Sequence, residues 1–138
     1  MAVTGVEGIA LLVGRVLFGG VVAFMGFNHF VQTEQMTGYA EFKGLPAPTL
    51  SVLGSGAVLV AGGLGVLAGA FPVASAVAVA AFLLLSAVTM HDFWAVPDDQ
   101  RQDEMTQFLK NVALAGGAVV VAAVGTQAWA YDLGLRLL

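Results

Sequence analysis

The sequence contains no cysteine, which excludes a disulfide, a thiol relay, a thiolate zinc site and a thiolate-bound iron–sulfur cluster. Charged residues are also scarce, at 10% of the chain, and the five basic residues are outnumbered by nine acidic ones. Because phosphate groups bind clustered Lys and Arg, this balance argues against a nucleic-acid partner. Hydrophobic residues make up 59% of the chain, so we predict an integral membrane protein in contact with lipid.

The apolar residues are gathered into four long runs, each of a length that suits a membrane crossing. A transmembrane helix needs about 20 apolar residues to cross a hydrocarbon core of about 30 Å. The predicted spans cover about residues 9–30, 50–70, 72–91 and 108–131 of a single domain, residues 1–138. Residues 1–8 carry no Lys or Arg, unlike the start of a signal peptide, so we expect the first span to be retained. The predicted fold class is all-α, an integral membrane four-helix bundle.

The polar segment 31–49 joins the first two spans. Met36, Tyr39 and Phe42 recur there at a spacing of three, which predicts one apolar side of a short interfacial helix lying on the membrane surface. Gly44 suits the end of such a helix, and the two prolines after it favour an extended approach to the second span. The alternative interpretation of this segment is a plain surface loop.

The second span is crowded with glycine. Gly65 and Gly69 form a GxxxG pair, a spacing that lets helix backbones approach closely in lipid. We therefore predict a packing helix, which packs either within the bundle or against a second copy. Pro72 suits the first turn of the third span, and Asp98 or Asp99 suits the start of the fourth helix, where a carboxylate can cap free amides.

Four crossings determine which connections share a side of the membrane. Both termini and the turn at Phe71 are predicted on one side, and the segments 31–49 and 91–111 on the other. One tryptophan falls at each end of the predicted bundle, Trp94 and Trp129, as expected for aromatic residues at the two interfaces. The basic residues are divided between the two sides, so they leave the absolute orientation open.

Six polar side chains from three spans fall at the same end of this predicted bundle. They are Asn28, His29, His91, Asp92, Lys110 and Asn111. One interpretation is a structural rim that is polar only because it meets water. Another is a pocket for a quinone or other small ligand, in which imidazole exchanges protons near neutral pH. Haem ligation by the two histidines, or a metal site that includes Asp92, is a third and disfavoured interpretation.

Arg15 is the one charged residue in the interior of a predicted span, since Lys110 falls at the interface end of the fourth. By the helix rise it lies about 9 Å into the first span, so its guanidinium must reach the interface or find a partner inside the bundle. Gln127, Tyr131 and Asp132 end the fourth span on the same side. We predict a structural ion pair between Arg15 and Asp132, with a functional role for Arg15 as the alternative.

The order and spacing of several short motifs resemble those of the DoxX-like membrane proteins. The motifs are Arg15 in the first span, GFNHF at 26–30, GLPAP at 44–48, HDFW at 91–94, and FLKN at 108–111 followed by Gly116 and Gly117. The resemblance spans nearly the whole chain and implies a multi-pass bundle of four helices in the cell membrane, with cytoplasmic termini. The positions that match the family pattern are Arg15, His29, Pro46, Gly63, His91, Lys110 and Asn111. One departure is Leu59, near a place where such proteins often have a glutamate.

The resemblance implies a role close to membrane redox chemistry, because relatives include the small membrane subunit of thiosulfate:quinone oxidoreductase. Our leading hypothesis is a membrane subunit that supports a quinone-linked redox process, at most one subunit of an oxidoreductase. His29 or His91 would bind the quinone oxygen, Asp92 would orient a histidine, and a partner would supply electrons. The alternative is a non-enzymatic anchor or assembly protein that binds a partner subunit or forms a homo-oligomer. A solute carrier ranks third. Transporters commonly have charged residues in the interior of their spans, and here Arg15 is the only such residue.

Overall fold

The computed structural model describes residues 2–137 and is built almost entirely of helices. The elements in chain order are β1 (Ala2–Val3), α1 (Gly5–Val31), α2 (Thr33–Phe42), α3 (Pro48–Ala68), α4 (Pro72–Met90), a 3-10 turn (Phe93–Ala95), α5 (Asp98–Val124) and β2 (Ala128–Trp129). Four of these helices, α1, α3, α4 and α5, are long and apolar enough to cross a membrane. The predicted all-α bundle of four spans, with a short helix between the first two, is confirmed.

Proline and glycine define several helix boundaries, and the sequence predicted those at Gly44 and Pro72; Pro48, predicted in an extended segment, instead begins α3. Pro48 and Pro72 occupy the first turns of α3 and α4, where a missing N–H costs nothing. Gly69 ends α3 in a left-handed conformation, with φ at 68°, and Gly44 follows α2 with φ at 77°. These two glycines allow the chain to reverse direction, since other residues rarely adopt such angles.

The start and the end of α5 differ in detail from the prediction. Pro97 is the residue that precedes the helix, and both aspartates lie in its first turn without a capping hydrogen bond, so their carboxylates act on the positive end of the helix dipole. The helix ends at Val124, whereas the predicted span continued to residue 131. It ends there because the Trp129 side chain donates a hydrogen bond to the Val124 carbonyl, at 2.7 Å, and residues 128–129 leave the helix to pair with β1.

The four spans share one apolar core. Helix α1 packs along α3, α3 along α4, and α4 along α5. The buried side chains of this core come from all four helices: Val22, Leu59, Val79, Ala80, Leu83, Ala115 and Ala118. Leu59 has no exposed surface. A carboxylate there would lie inside the apolar core of this chain, which explains why an apolar residue suits the position.

Glycines allow α1 and α3 to cross at close range. A Cβ on Gly63 would lie 2.6 Å from the Gly19 carbonyl oxygen, and a Cβ on Gly26 would lie 2.7 Å from the Gly56 carbonyl oxygen. Each pair therefore brings backbone against backbone, which is how small residues favour helix association in lipid. The predicted Gly65 also packs within the chain, against Ser75 of α4. The within-bundle alternative for the glycine-rich span is therefore the one that the structure supports.

Both terminal segments meet the α3–α4 turn at one end of the bundle. Strand β1 pairs in parallel with β2, joining Ala2 to Ala128. The Phe71 amide donates to the Leu135 carbonyl at 2.7 Å, and the Leu133 amide to the Ala68 carbonyl at 3.0 Å. The other end carries α2 and the α4–α5 connection. This arrangement agrees with the predicted sharing of sides by the termini and the turn.

Candidate functional site

Helix α2 lies against the α4–α5 connection and brings five polar side chains together at the end of the bundle opposite the termini. We call these residues the face cluster: Tyr39, Lys43, His91, Asp92 and Glu104. Tyr39 lies in α2 and Lys43 directly after it, two members come from the segment just after α4, and one comes from α5. The cluster therefore ties the interfacial helix to both membrane-spanning helices of the second half of the chain.

One part of the face cluster is an ion pair. The Lys43 ammonium lies 2.5 Å from the Asp92 carboxylate, and the Lys43 side chain is only 7% exposed. The same ammonium lies 5.6 Å from the centre of the Tyr39 ring, within range of a cation–π interaction. Because the pair joins α2 to the residue after α4, it fixes the position of α2 on the bundle.

The other part is a carboxylate that forms hydrogen bonds with both a tyrosine and a histidine. The Tyr39 hydroxyl lies 2.7 Å from Glu104 Oε1, and His91 Nδ1 lies 2.9 Å from Glu104 Oε2. Burial, and then the hydrogen bond to the negatively charged Glu104, raise the pKa of Tyr39 above its usual range, because both disfavour the phenolate. Glu104 thus accepts hydrogen bonds from both neighbours and links the interfacial helix to His91.

The pairing of His91 determines what its second nitrogen can do. A carboxylate partner keeps the proton on Nδ1, so the neutral ring has a lone pair at Nε2. Within residues 2–137, Nε2 makes no hydrogen bond, and His91 is partly exposed. The only fully buried side-chain nitrogen or oxygen without a partner in that part of the chain is the Thr37 hydroxyl, so His91 Nε2 is reachable by water. It is a proton acceptor open to an incoming molecule.

An aromatic cluster adjoins His91 in the chain. Phe93 and Trp94 pack edge to face, with ring centres 5.2 Å apart, and Phe108 of α5 lies 5.3 Å from Phe93 and 5.8 Å from Trp94. The Trp94 side chain remains half exposed. Aromatic residues of this kind are typical of the membrane–water interface, so the face cluster lies at that depth.

The six predicted site residues share one end of the bundle but do not all meet. His91 and Asp92 enter the face cluster, where Asp92 pairs with Lys43 and it is Glu104, not Asp92, that holds His91. Lys110 is exposed and bonds to Gln107 of its own helix, at 2.5 Å. Asn28 is partly buried, and its side chain makes no hydrogen bond within the described chain.

The remaining two predicted residues lie inside the bundle. His29 Nδ1 is 2.9 Å from the Ser55 hydroxyl and 3.1 Å from the Val52 carbonyl oxygen. Asn111 is only 4% exposed, and its side-chain amide lies 3.4 Å from the Ser86 hydroxyl. These two residues therefore make interhelical hydrogen bonds instead of joining the face cluster.

The two histidines lie at different depths. The His29 ring packs edge to face against Phe82, with centres 6.3 Å apart. Phe82 precedes His91 by nine residues, which corresponds to about 13 Å along α4 at the helix rise of 1.5 Å per residue. His91 is thus the histidine of the membrane face, and His29 the histidine of the interior.

Three members of the face cluster, Tyr39, Lys43 and Glu104, were absent from the predicted site. One signal for Glu104 was available: it precedes Asn111 by seven residues, two helical turns, so an inward Asn111 implies an inward Glu104. Tyr39 was placed on the predicted apolar side of the interfacial helix. The bundle buries Ala40 of that helix, whereas Phe42 of the predicted apolar side is 80% exposed. No pattern in the chain indicated the partner of Lys43.

Arg15 lies at the opposite end, where the structure gives it main-chain partners. The side chain is 1% exposed and donates to the carbonyl oxygens of Val66, Leu67, Ala130 and Tyr131, at 2.6 to 3.3 Å. Its guanidinium also lies 5.1 Å from the Trp129 ring centre. Asp132, its predicted partner, pairs with Arg136 within the described chain. Arg15 therefore joins the end of α3 to the C-terminal segment by binding backbone carbonyl oxygens of both.

Comparison with known proteins agrees with this architecture. The DoxX family profile matches residues 10–92, more than half of the chain. Inner membrane protein YphA of Escherichia coli (strain K12) is 26% identical over 124 residues, which cover 90% of this chain and 89% of YphA. No solved structure matches the chain. The matched range contains most of α1, all of α2, α3 and α4, and the two histidines.

Proposed function

We propose that this chain, which belongs to the DoxX family, is a membrane subunit that holds a quinone headgroup at His91 and so supports a quinone-linked redox process. The observation that carries the proposal is the His91–Glu104 pair, with Nδ1 held at 2.9 Å and Nε2 without a partner among residues 2–137. This chain has four helices long and apolar enough to cross a membrane, and its relative YphA is an inner membrane protein.

The residues around His91 fit a quinone headgroup. A quinone presents carbonyl oxygens that accept hydrogen bonds, and its reduced form presents hydroxyl groups that donate them. A histidine nitrogen serves both, because it donates when protonated and accepts when neutral. Trp94 and Phe93 add aromatic surface at the same depth, and flat rings pack favourably against such side chains.

A bound quinone supplies chemistry in which two electrons and two protons are exchanged. The residues of this chain handle the protons. His91 holds or releases a proton at Nε2, Glu104 keeps the ring in one tautomer and stabilises its charged form, and Tyr39 holds Glu104 in place. The role expected for Asp92 from the sequence is therefore transferred to Glu104. A partner subunit would provide the electrons, since the chain has no cysteine and no flavin or nicotinamide fingerprint.

Equilibrium binding of a short-tailed quinone tests the proposal. The chain has two tryptophans, and a quinone bound near Trp94 quenches its fluorescence. We expect saturable quenching in lipid nanodiscs and weaker binding by His91→Gln, by about three- to tenfold, the value of one lost hydrogen bond of about 1 kcal/mol.

Matched controls make the result specific. Arg101→Gln changes an exposed residue near the start of α5, whose only ion pair is with Asp98 within the described chain, so it should bind quinone as the parent does. Trp94→Phe keeps an aromatic ring at this position but removes the fluorophore, so it should lose most of the quenching signal. Quenching that does not saturate, or that is equal in the parent and His91→Gln, would overturn the proposal.

A second candidate, an anchor or assembly protein, is favoured by the exposed acidic start of α5. Asp98, Asp99 and Asp103 are all exposed there, on the same side of the bundle as the face cluster. Acidic side chains on such a surface steer and orient a basic soluble partner. This candidate predicts no saturable quinone binding by any variant, so the same titration separates the two functions.

A further inference from the structure

A groove runs along the outer surface of the bundle between α3 and α4, in the half of the bundle that contains the turn joining these helices. Its volume is about 590 Å³. It extends from Val58 of α3 and Ala78 of α4 to Phe71 in the turn, and all three of these lining residues are exposed. The groove therefore opens toward the medium that surrounds the membrane-spanning helices.

The groove exists because α3 and α4 touch through glycine and carry small residues on both sides of the contact. A Cβ on Gly62 would lie 2.5 Å from Val79 Cγ2, and a Cβ on Gly65 would lie 2.8 Å from Ser75 Cβ. These contacts form the floor of the groove. Its sides are largely alanine: Ala61 and Ala68 of α3, and Ala74 and Ala78 of α4. Such short side chains leave open a space that larger residues would have filled.

The lining of the groove contains no free polar side chain. Ser75 is the one residue with a polar side chain among its lining residues, all of which lie within residues 2–137, and its hydroxyl donates to the Ala70 carbonyl oxygen at 3.0 Å. None of these lining residues is charged. A molecule in the groove must itself be apolar, because a polar group buried there would lack a hydrogen-bond partner.

The dimensions of the groove match a hydrocarbon chain of one membrane leaflet. From Val58 to Ala70 the helix rise gives a length of about 18 Å, and one leaflet provides about half of the hydrocarbon core of about 30 Å. A volume of about 590 Å³ over that length gives a mean cross-section of about 33 Å². A helix with its side chains is about 10–12 Å in diameter, so its cross-section is more than about twice as large. The groove therefore suits one extended hydrocarbon chain and is too narrow to enclose a helix.

We propose that the α3–α4 groove binds one acyl chain of a phospholipid from the leaflet on the side of the two termini. The end of the acyl chain lies near Val58, at the middle of the membrane, and its ester lies near Phe71. Lipid tails are as apolar as these side chains, so binding depends on van der Waals contact. A chain in the groove contacts protein on the floor and on both sides, whereas a chain beside a single helix contacts protein on one side only.

The C-terminal segment forms the outer end of the groove. Leu137 lines the groove, and the nearby Leu135 carbonyl accepts a hydrogen bond from the Phe71 amide at 2.7 Å. The Leu133 amide donates to the Ala68 carbonyl at 3.0 Å, so the segment is fixed to the α3–α4 turn at two points. The groove is thus bordered by a third element where the lipid ester would lie, which distinguishes this position from the rest of the lipid-facing surface.

Photo-crosslinking tests the groove with a phosphatidylcholine that carries a diazirine in one acyl chain. One equivalent of this probe is added to the protein in detergent micelles, and mass spectrometry locates the adducts after irradiation. We expect adducts near Val58 and Ala78 from a diazirine at the end of the chain, and near Phe71 and Leu137 from a diazirine close to the ester. Adducts spread evenly over the exposed surfaces of all four spans would overturn the proposal.

Two variants fill the groove at exposed positions, where a larger side chain leaves the core unchanged. Ala61→Leu and Ala78→Leu should each lower the yield of groove adducts about fivefold, the equivalent of about 1 kcal/mol in binding free energy. Val77→Leu is the matched control, because residue 77 is 54% exposed and does not line the groove, so its adduct yield should equal that of the parent. Equal yields from all four proteins would contradict binding in the groove.

A second copy of the chain is the competing occupant, and an introduced cysteine detects it. The chain has no native cysteine, so Ala74→Cys provides a single thiol at the side of the groove. We expect this variant to stay monomeric under mild oxidation in liposomes. A disulfide-linked dimer in high yield, together with a lack of groove adducts, would assign the groove to a second copy and overturn the proposal. All these variants retain His91, so quinone binding by the same proteins tests the proposed function separately.

Discussion

Charged and polar side chains at the two ends of the bundle are stabilised in different ways. Arg15 spreads its charge over four backbone carbonyls and the Trp129 ring. At the other end, Lys43 and His91 each meet a carboxylate near the water interface. The deeper group therefore uses neutral dipoles, which are available wherever a helix ends, and the shallower groups use ion pairs.

Replacement of Arg15 should lower the free energy of unfolding more than replacement of a surface arginine does. Arg15→Met keeps the apolar stem but removes every donor to Val66, Leu67, Ala130 and Tyr131, and hydrogen bonds to charged groups contribute about 1.5–3 kcal/mol each. We expect a loss of about 3 kcal/mol or more in the free energy of unfolding, measured by denaturant titration in detergent, and earlier proteolysis after Val124. Arg15→Lys should recover only part of it, because an ammonium lacks the forked geometry.

The control for this prediction is Arg101→Met, at a residue whose side chain is 52% exposed. Exposed pairs contribute little, so the unfolding curve should hardly move. Equal stability of Arg15→Met and the parent would show that the C-terminal segment is held by other contacts.

The raised pKa of Tyr39 predicts its titration. In a Tyr131→Phe protein, Tyr39 is the only tyrosine, and ultraviolet absorbance should show its phenolate appearing at higher pH than in the unfolded chain. Because the folded value is raised, the neutral phenol stabilises the fold. This contribution is intact below the ordinary tyrosine pKa of about 10 and is lost as the pH rises through the folded value. Glu104→Gln should move ionisation to lower pH; coincident folded and unfolded titrations would contradict the Tyr39–Glu104 contact.

At the scale of helices, the effect of replacing a glycine depends on whether another helix lies against it. A Cβ on Gly63 would lie 2.5 Å from the Ala23 amide nitrogen, whereas a Cβ on Gly116 would meet nothing within 4 Å. Gly63→Ala should therefore force α1 and α3 apart and lower the unfolding free energy by about 1–3 kcal/mol, as overpacking does. Gly116→Ala should leave it unchanged or raise it by up to about 1 kcal/mol through helix propensity. Thermal unfolding followed by circular dichroism compares the two; effects of the same sign would argue against the close crossing.

Helices were predictable where a local property decides them. The length of the apolar runs located the four spans, and Pro72 and Gly44 marked boundaries that the structure keeps. The end of α5 was not predictable in this way. It depends on the Trp129 side chain and on pairing with residues 2–3, more than 120 positions earlier in the chain.

The candidate site was predictable only as far as topology determines it. An even number of crossings places His29 and His91 at one end, but which carboxylate holds His91 depends on the rotation of α5 about its axis and on where α2 rests. Asp92, the neighbour in sequence, faces Lys43 instead, and the acid that reaches His91 is thirteen residues away along the chain. The spacing of residues within a helix shows which side of the helix they share, but it does not show which residues of another element they contact.

At the scale of the whole molecule, the bundle has two chemically distinct ends. The closed end joins β1, β2 and the α3–α4 turn through backbone hydrogen bonds and contains Arg15. The open end carries the face cluster, the aromatic cluster and the exposed acids at the start of α5. His91, whose Nε2 makes no hydrogen bond within residues 2–137, lies there, which is why the proposed function concerns this end.

Labelling of introduced cysteines tests this division of ends, and the absence of native cysteine makes each new thiol unique. Glu41→Cys and Asp99→Cys lie at exposed positions of the open end, and Val6→Cys and Leu133→Cys at exposed positions of the closed end. A membrane-impermeant maleimide applied to sealed vesicles should label the two members of each end together and the two ends from opposite sides. If the termini are cytoplasmic, as we propose, Leu133→Cys reacts only in inside-out vesicles. Labelling of Glu41→Cys and Asp99→Cys from different sides would separate α2 from α5 and dissolve the face cluster, because Tyr39 could then no longer reach Glu104.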